Sequence, residues 1–139
     1  MATGWIWDGP NWYYANLRGK IQCGWIQTGG AWYWMDASGA MRTGWLSYGG
    51  AWYWLDPSGA MATGWRFVGG SWYWLQPSGV MATGWARVGD DWYWLDVSGA
   101  MTHDRWIGDY YVGSSGAMAT NQWVGPWWVG DDGRWTADS

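Results

Sequence analysis

At 139 residues and a net charge of −4, the chain is sized for one ordinary domain and is a poor nucleic-acid binder, because its seven Lys and Arg are scattered where phosphate contacts need clusters. Its 24 Gly, 20 Trp and nine Tyr dominate, with more indole than a packed core needs. No apolar run approaches the ~20 residues of a membrane-spanning helix.

One unit recurs along the whole chain. Trp5, Trp25, Trp45, Trp65 and Trp85 each follow a Gly at a spacing of 20, and Trp12, Trp32, Trp52, Trp72 and Trp92 each follow seven residues later. A fixed period of this length marks a repeat architecture. Residues 1–5, 61–65 and 81–85 all read Met-Ala-Thr-Gly-Trp. The chain thus starts in phase with its repeat and reads as a fragment of a longer protein.

Within each copy two aromatic runs flank a dipeptide: Gly9-Pro10, Gly29-Gly30, Gly49-Gly50, Gly69-Gly70 and Gly89-Asp90. These are two-residue hairpin loops of the primed types, which need positive φ first; Pro10 in second place fits type II′. The loop sets the register. In the third copy Tyr48 opposes Ala51, Ser47 opposes Trp52, Leu46 opposes Tyr53, and Trp45 opposes Trp54. Side chains alternate along a strand, so Trp45, Ser47, Trp52 and Trp54 share one face, and Leu46, Tyr48, Tyr53 and Leu55 share the other. A lone hairpin is marginal in water, so the copies must stack. The connectors carry the turn formers Pro57, Pro77 and Gly39, Gly59, Gly79 and Gly99. Two shorter copies follow, Trp106–Tyr111 and Trp123–Trp128, each lacking four residues, which removes two cross-strand pairs and preserves the faces. They lack the second Trp and read as caps. The domain organisation expected is therefore five full repeats over 1–105 and two shortened capping hairpins with a tail over 106–139.

Cys23 stands where later copies have Thr43, Thr63 and Thr83, and reads as a small replacement without a disulfide partner. His103 lies alone in a loop, with no ligand cluster around it. Asp36, Asp56 and Asp96 end second strands and read as turn formers. No nucleophile–base pair, paired carboxylates or metal cluster is visible, so neither catalysis nor a cofactor or metal is expected.

The sequence Gly-Trp, a turn, Trp-Tyr-Trp, then Ser-Gly-Ala-Met and Thr-Gly-Trp resembles the choline-binding, or cell-wall-binding, repeats of Gram-positive surface proteins and phage lysins. The resemblance implies an all-β fold, a β-solenoid of about seven stacked two-stranded hairpins. It also implies choline cages between successive hairpins, two rings from one and the third aromatic from the next. Carried onto this chain, the cages are Trp5, Trp12 and Trp34; Trp25, Trp32 and Trp54; Trp45, Trp52 and Trp74; Trp65, Trp72 and Trp94; and Trp85, Trp92 and Tyr111. Met41, Met61, Met81 and Met101 supply a fourth wall, and Ile21 replaces Met in the first connector. Tyr14 would serve a hairpin further upstream. A site at Trp106 and Trp128 is not counted, for want of a second Trp. Tyr33, Tyr53, Tyr73 and Tyr93, on the opposite face, read as hairpin packing. The implied partner is choline or phosphocholine on teichoic or lipoteichoic acid, and the implied location is extracellular, non-covalently held on the cell wall. Self-association is compatible with the pattern. Glucan binding and a structural or oligomerising spacer are the rival functions.

Overall fold

The computed structural model describes residues 3–135, and every regular element among them is a strand. In chain order these are β1 (Gly4–Asp8), β2 (Asn11–Ala15), β3 (Gly24–Thr28), β4 (Ala31–Met35), β5 (Gly44–Tyr48), β6 (Ala51–Leu55), β7 (Gly64–Val68), β8 (Ser71–Leu75), β9 (Gly84–Val88), β10 (Asp91–Leu95), β11 (Arg105–Ile107), β12 (Tyr110–Val112), β13 (Gln122–Val124) and β14 (Trp127–Val129). They pair consecutively into seven two-stranded sheets. The all-β class and the seven hairpins are as the repeat implied.

The turns set this geometry. Gly opens each one with φ between 58° and 67°, at residues 9, 29, 49, 69, 89, 108 and 125. Where a second Gly follows, at 30, 50 and 70, its φ is 81–89°, a type I′ turn; after the other openings the second residue stays out of the positive region, as type II′ requires. The register in the third hairpin runs from Tyr48 opposite Ala51 to Trp45 opposite Trp54, as the loop length predicts. In β11–β12 only three pairs form, Ile107 with Tyr110, Trp106 with Tyr111 and Arg105 with Val112. Two pairs are lost relative to the long hairpins, and the faces are kept.

The chain resolves into two compact units, one of Met1–Gly64 with Leu75–Met81 and the other of Trp65–Trp74 with Ala82–Ser139. Within each, successive repeats are tied by the connectors. In the first unit the amide of Met41 donates to the carbonyl of Trp12, Met61 to Trp32 and Met81 to Trp52, at 2.7–2.8 Å. In the second unit Met101 donates to Trp72, Met118 to Trp92 and Trp135 to Asp109, each at 2.7 Å. A connector thus reaches back to the hairpin before its own.

The core is one residue deep per repeat. The last residue of each second strand, at positions 15, 35, 55, 75, 95, 112 and 129, is at most 1 % exposed. These are Ala, Met, Leu, Leu, Leu, Val and Val, joined by small connector residues such as Ala62 and Ala82. Burying each larger side chain contributes about 1.5–3 kcal/mol. An Asx arrangement closes the connector turn of the second and fifth repeats: Asp36 Oδ1 accepts from the amides of Ser38 and Ala40 at 2.9 and 3.1 Å, and Asp96 repeats this.

Candidate aromatic binding sites

The site is assembled from a Trp face and a Tyr face. In the first four long hairpins the two indoles seven residues apart meet edge to face. Their centroids are 6.2 Å apart for Trp5 and Trp12, 6.5 Å for Trp25 and Trp32 and for Trp45 and Trp52, and 6.4 Å for Trp65 and Trp72. The second indole is the open one: Trp12, Trp32, Trp52, Trp72 and Trp92 are 39–47 % exposed although they sit mid-repeat.

The third wall differs from the expectation. Trp34, Trp54, Trp74, Trp94 and Tyr111 each pack on the first Trp of their own hairpin, at 5.1–5.3 Å. Trp34 is further covered by Tyr48 of the next hairpin at 4.7 Å. Tyr14 likewise lies on Trp5 at 5.2 Å. The ring that crosses from the next hairpin is the middle aromatic of the triplet. Tyr33 meets Trp5 at 4.9 Å, Tyr53 meets Trp25 at 5.1 Å, Tyr93 meets Trp65 at 5.0 Å, and Tyr110 meets Trp85 at 5.5 Å. The physical reason is alternation. Residues 33 and 34 point to opposite faces, and stacking sets the Trp face of one hairpin against the Tyr face of the next. Tyr33, Tyr53 and Tyr93, assigned to packing, are therefore residues that close the aromatic clefts.

Three of these clefts form open pockets. One of about 340 Å³ is lined by Trp25, Trp32, Tyr53, Met61 and Ser78. A second of about 320 Å³ is lined by Trp65, Trp72, Tyr93, Met101 and Ser115. A third of about 350 Å³ is lined by Trp85, Trp92, Tyr110, Met118 and Asp132. Met61 and Met101 stand where a fourth wall was expected. Met118 was not expected, although Gly116-Ala117-Met118 repeats the Gly-Ala-Met signal. Met41 donates its amide to Trp12 and so belongs beside the first indole pair; Ile21 instead lies over Gly39 next to Tyr13. Ile21 stands to Gly39 as Met41 stands to Gly59.

Glycine makes room for the thioether. A Cβ at Gly59 would collide with Met41 Sδ, and one at Gly79 with Met61 Sδ; both glycines sit near φ +90°. The same relation joins Gly116 to Met101 and Gly133 to Met118. The recurrent Ser-Gly thus serves as a turn and as the seat of a cleft wall.

Electrostatically the clefts are neutral to acidic. Burial, reinforced by Asp91, raises the pKa of Tyr93 above its ordinary value, so the phenol stays protonated. Asp132 brings a carboxylate to the Trp85 cleft. Rings and a thioether can grip a cation through its π faces and methyl contacts without hydrogen bonds.

A further cavity of about 250 Å³ lies where no site was counted, lined by Trp106, Gly108, Asp109, Trp127 and Trp135. Trp128, the residue considered there, packs instead on Trp123 of its own hairpin at 5.5 Å. Among the described residues no cluster of His, Cys, Asp or Glu could hold a metal, and no helix is long and apolar enough to cross a membrane. Cys23 is exposed and unpaired in a disulfide, and His103 is exposed beside Asp104.

Comparison with known proteins covers nearly all of the chain. A choline-binding repeat model matches residues 23–63 and 62–106, and a second choline-binding repeat model matches 100–135. A putative cell wall binding repeat matches 3–21. Among solved structures, CbpJ from Streptococcus pneumoniae TIGR4 is 43 % identical with a TM-score of 0.91, over 97 % of this chain and 48 % of that one. Choline binding protein F from Streptococcus pneumoniae is 40 % identical with a TM-score of 0.89, over 97 % and 48 %, and CbpF has also been solved in complex with ipratropium. The modular autolysin LytC of Streptococcus pneumoniae is 28 % identical with a TM-score of 0.80, over 98 % and 33 %. The chain thus spans at most about half the length of these proteins. No curated protein matches in sequence.

Proposed function

Since this chain belongs to the choline-binding repeat family, we propose that its Trp–Trp–Tyr–Met clefts bind the trimethylammonium of choline on teichoic or lipoteichoic acid and hold the protein non-covalently on a Gram-positive cell wall. The observation that carries this reading is the repeated cleft: two indoles from one hairpin, a Tyr from the next and a Met from its connector, at Trp25, Trp32, Tyr53 and Met61 and again at Trp65, Trp72, Tyr93 and Met101. A trimethylammonium has no N–H to donate, so hydrogen bonding gives it no selectivity. Aromatic faces do, at roughly 0.5–2 kcal/mol per ring. Three rings leave about millimolar affinity, near −4 kcal/mol, after the entropy of association. The clefts gain from repetition, because a polymer bearing many cholines meets the later ones at high effective concentration. On this reading the module acts by binding alone.

The test is a titration of Trp fluorescence with choline and, separately, with glucan oligosaccharides. Choline is expected to quench or shift the emission in the millimolar range and to raise the melting temperature, since it binds only the folded state. A glucan response without a choline response overturns the reading in favour of a carbohydrate module. Silence to both at tens of millimolar leaves a structural spacer.

A further inference from the structure

The cavity between the two short hairpins has a different chemistry from the other clefts. Trp106 holds the place of the first indole, Trp127 that of the crossing Tyr, and Trp135 that of the Met, its amide donating to Asp109 as Met118 donates to Trp92. Trp127 and Trp135 meet edge to face at 5.3 Å, and Trp127 is 47 % exposed. Where the long hairpins place their second indole, this one places Asp109, because the shortened strand brings the turn into that position. The cavity is therefore three indoles and a carboxylate.

We propose that this cavity is an additional organic-cation site whose preferred ligand is a methylated ammonium that keeps an N–H. The proposal rests on the cation reading of the Trp25 and Trp65 clefts and extends it in selectivity. Three indoles supply π faces for any methylated ammonium. The carboxylate only accepts hydrogen bonds, so it rewards a ligand with a proton to donate and offers choline attraction without a bond. Asp109 Oδ2 lies 3.4 Å from Arg134 Nε, with both side chains at least half exposed. That pair is long and solvated, so it leaves the carboxylate available to a ligand. Arg134 also competes for it, which predicts the sign of its removal.

The test is NMR of the indole N–H signals, assigned by single Trp substitutions, with choline and with N,N-dimethylethanolamine as probes near neutral pH. Signals of Trp127 and Trp135 are expected to respond to dimethylethanolamine at about threefold lower concentration than to choline. Trp25 and Trp32 are expected to favour choline. Asp109→Asn should erase the preference at Trp127 and Trp135 and leave Trp25 and Trp32 unchanged, whereas Arg134→Ala should strengthen it. No response of Trp127 and Trp135 to either probe overturns the site. A response with the same preference as Trp25 and Trp32 overturns the role of Asp109. Silence of Trp25 and Trp32 themselves bears instead on the choline reading of the long clefts.

Discussion

The fifth and sixth hairpins, β9–β10 and β11–β12, carry the same frame at two lengths. Each opens its turn with a positive-φ Gly, sets a first-strand Trp against a second-strand aromatic, and ends on a buried aliphatic, Leu95 or Val112. The difference is two cross-strand pairs. Their loss leaves the core residue and the stacking aromatics in place and removes the open indole, replacing Trp92 with Asp109. Scaffold and ligand surface therefore overlap at the first indole and part at the second, which lies nearer the turn. The base, near the connector, builds the fold and one side of the cleft, and the tip, near the turn, adds the open indole. Shortening also does not stop a hairpin from serving its neighbour: Tyr110 and Met118 of the sixth repeat complete the cleft of the fifth.

The strongest way to break this division is at the base. Leu55→Ala removes a side chain that is 1 % exposed and should cost about 2–5 kcal/mol of stability, read by denaturant unfolding. At the tip the effect should fall on ligand instead. Trp32→Ala, at a residue 39 % exposed, should weaken one cleft by roughly 0.5–2 kcal/mol and leave the other clefts binding and the melting temperature nearly unchanged. Trp25→Ala is the contrast. Trp25 packs on both Trp34 and Tyr53, so its loss should lower the melting temperature as well as the affinity. If Trp32→Ala unfolds the protein, tip and base are not separable.

The base was legible in the sequence because turn chemistry is local. Gly49-Gly50 determines the register, and the register determines that Trp45 faces Trp54. The clefts were half legible. Each pair of indoles comes from one hairpin and follows from that register, but the closing ring comes from another hairpin, and alternation alone does not say which face meets which. Tyr33 and Trp34 are adjacent in the chain and opposite in space, so an offset of one residue exchanges a cleft wall for a packing residue. The sixth cavity was hidden for a related reason. Its third indole, Trp135, stands in a Met position, and only the backbone bond from Trp135 to Asp109 reveals the equivalence.

The connectors give a finer version of the comparison. Long repeats start theirs with a polar side chain, Asn16, Asp36, Asp56, Gln76 or Asp96, and the short ones start with Gly113 and Gly130. Gly113 is not in the positive-φ region, and a Cβ there would meet nothing closer than the carbonyl oxygen of Ala117 at 3.9 Å. Gly113→Asp should therefore be accommodated, restrict the unfolded chain and offer the turn an Asx acceptor, raising stability by about 0.4–1 kcal/mol in denaturant unfolding. A loss of stability would mean that the shortened repeat depends on Gly at that position.

The smallest effect concerns charge at the same turn. The hydroxyl of Ser38 lowers the pKa of Asp36 most; burial opposes it, and the amides of Ala40 and Ser38 and the nearby Arg42 add to the lowering, which prevails. Arg42 Nη2 lies 2.6 Å from its Oδ2, with the Arg side chain 62 % exposed, so screening keeps that part of the effect small. A carboxyl with a depressed folded pKa stabilises the fold above its unfolded pKa and loses that contribution as pH falls through the folded value. Asp36→Asn should thus lower the melting temperature slightly at pH 7, and the gap to the wild type should narrow on acidification below about pH 4. Asn keeps an acceptor for the Ser38 and Ala40 amides, so the part that disappears with pH isolates the charge from the turn. A gap that stays constant with pH would assign the whole effect to hydrogen-bond geometry. The connector turn would then work as well with a neutral acceptor, as it does in the first repeat, where Asn16 Oδ1 accepts from the amides of Arg18 and Lys20.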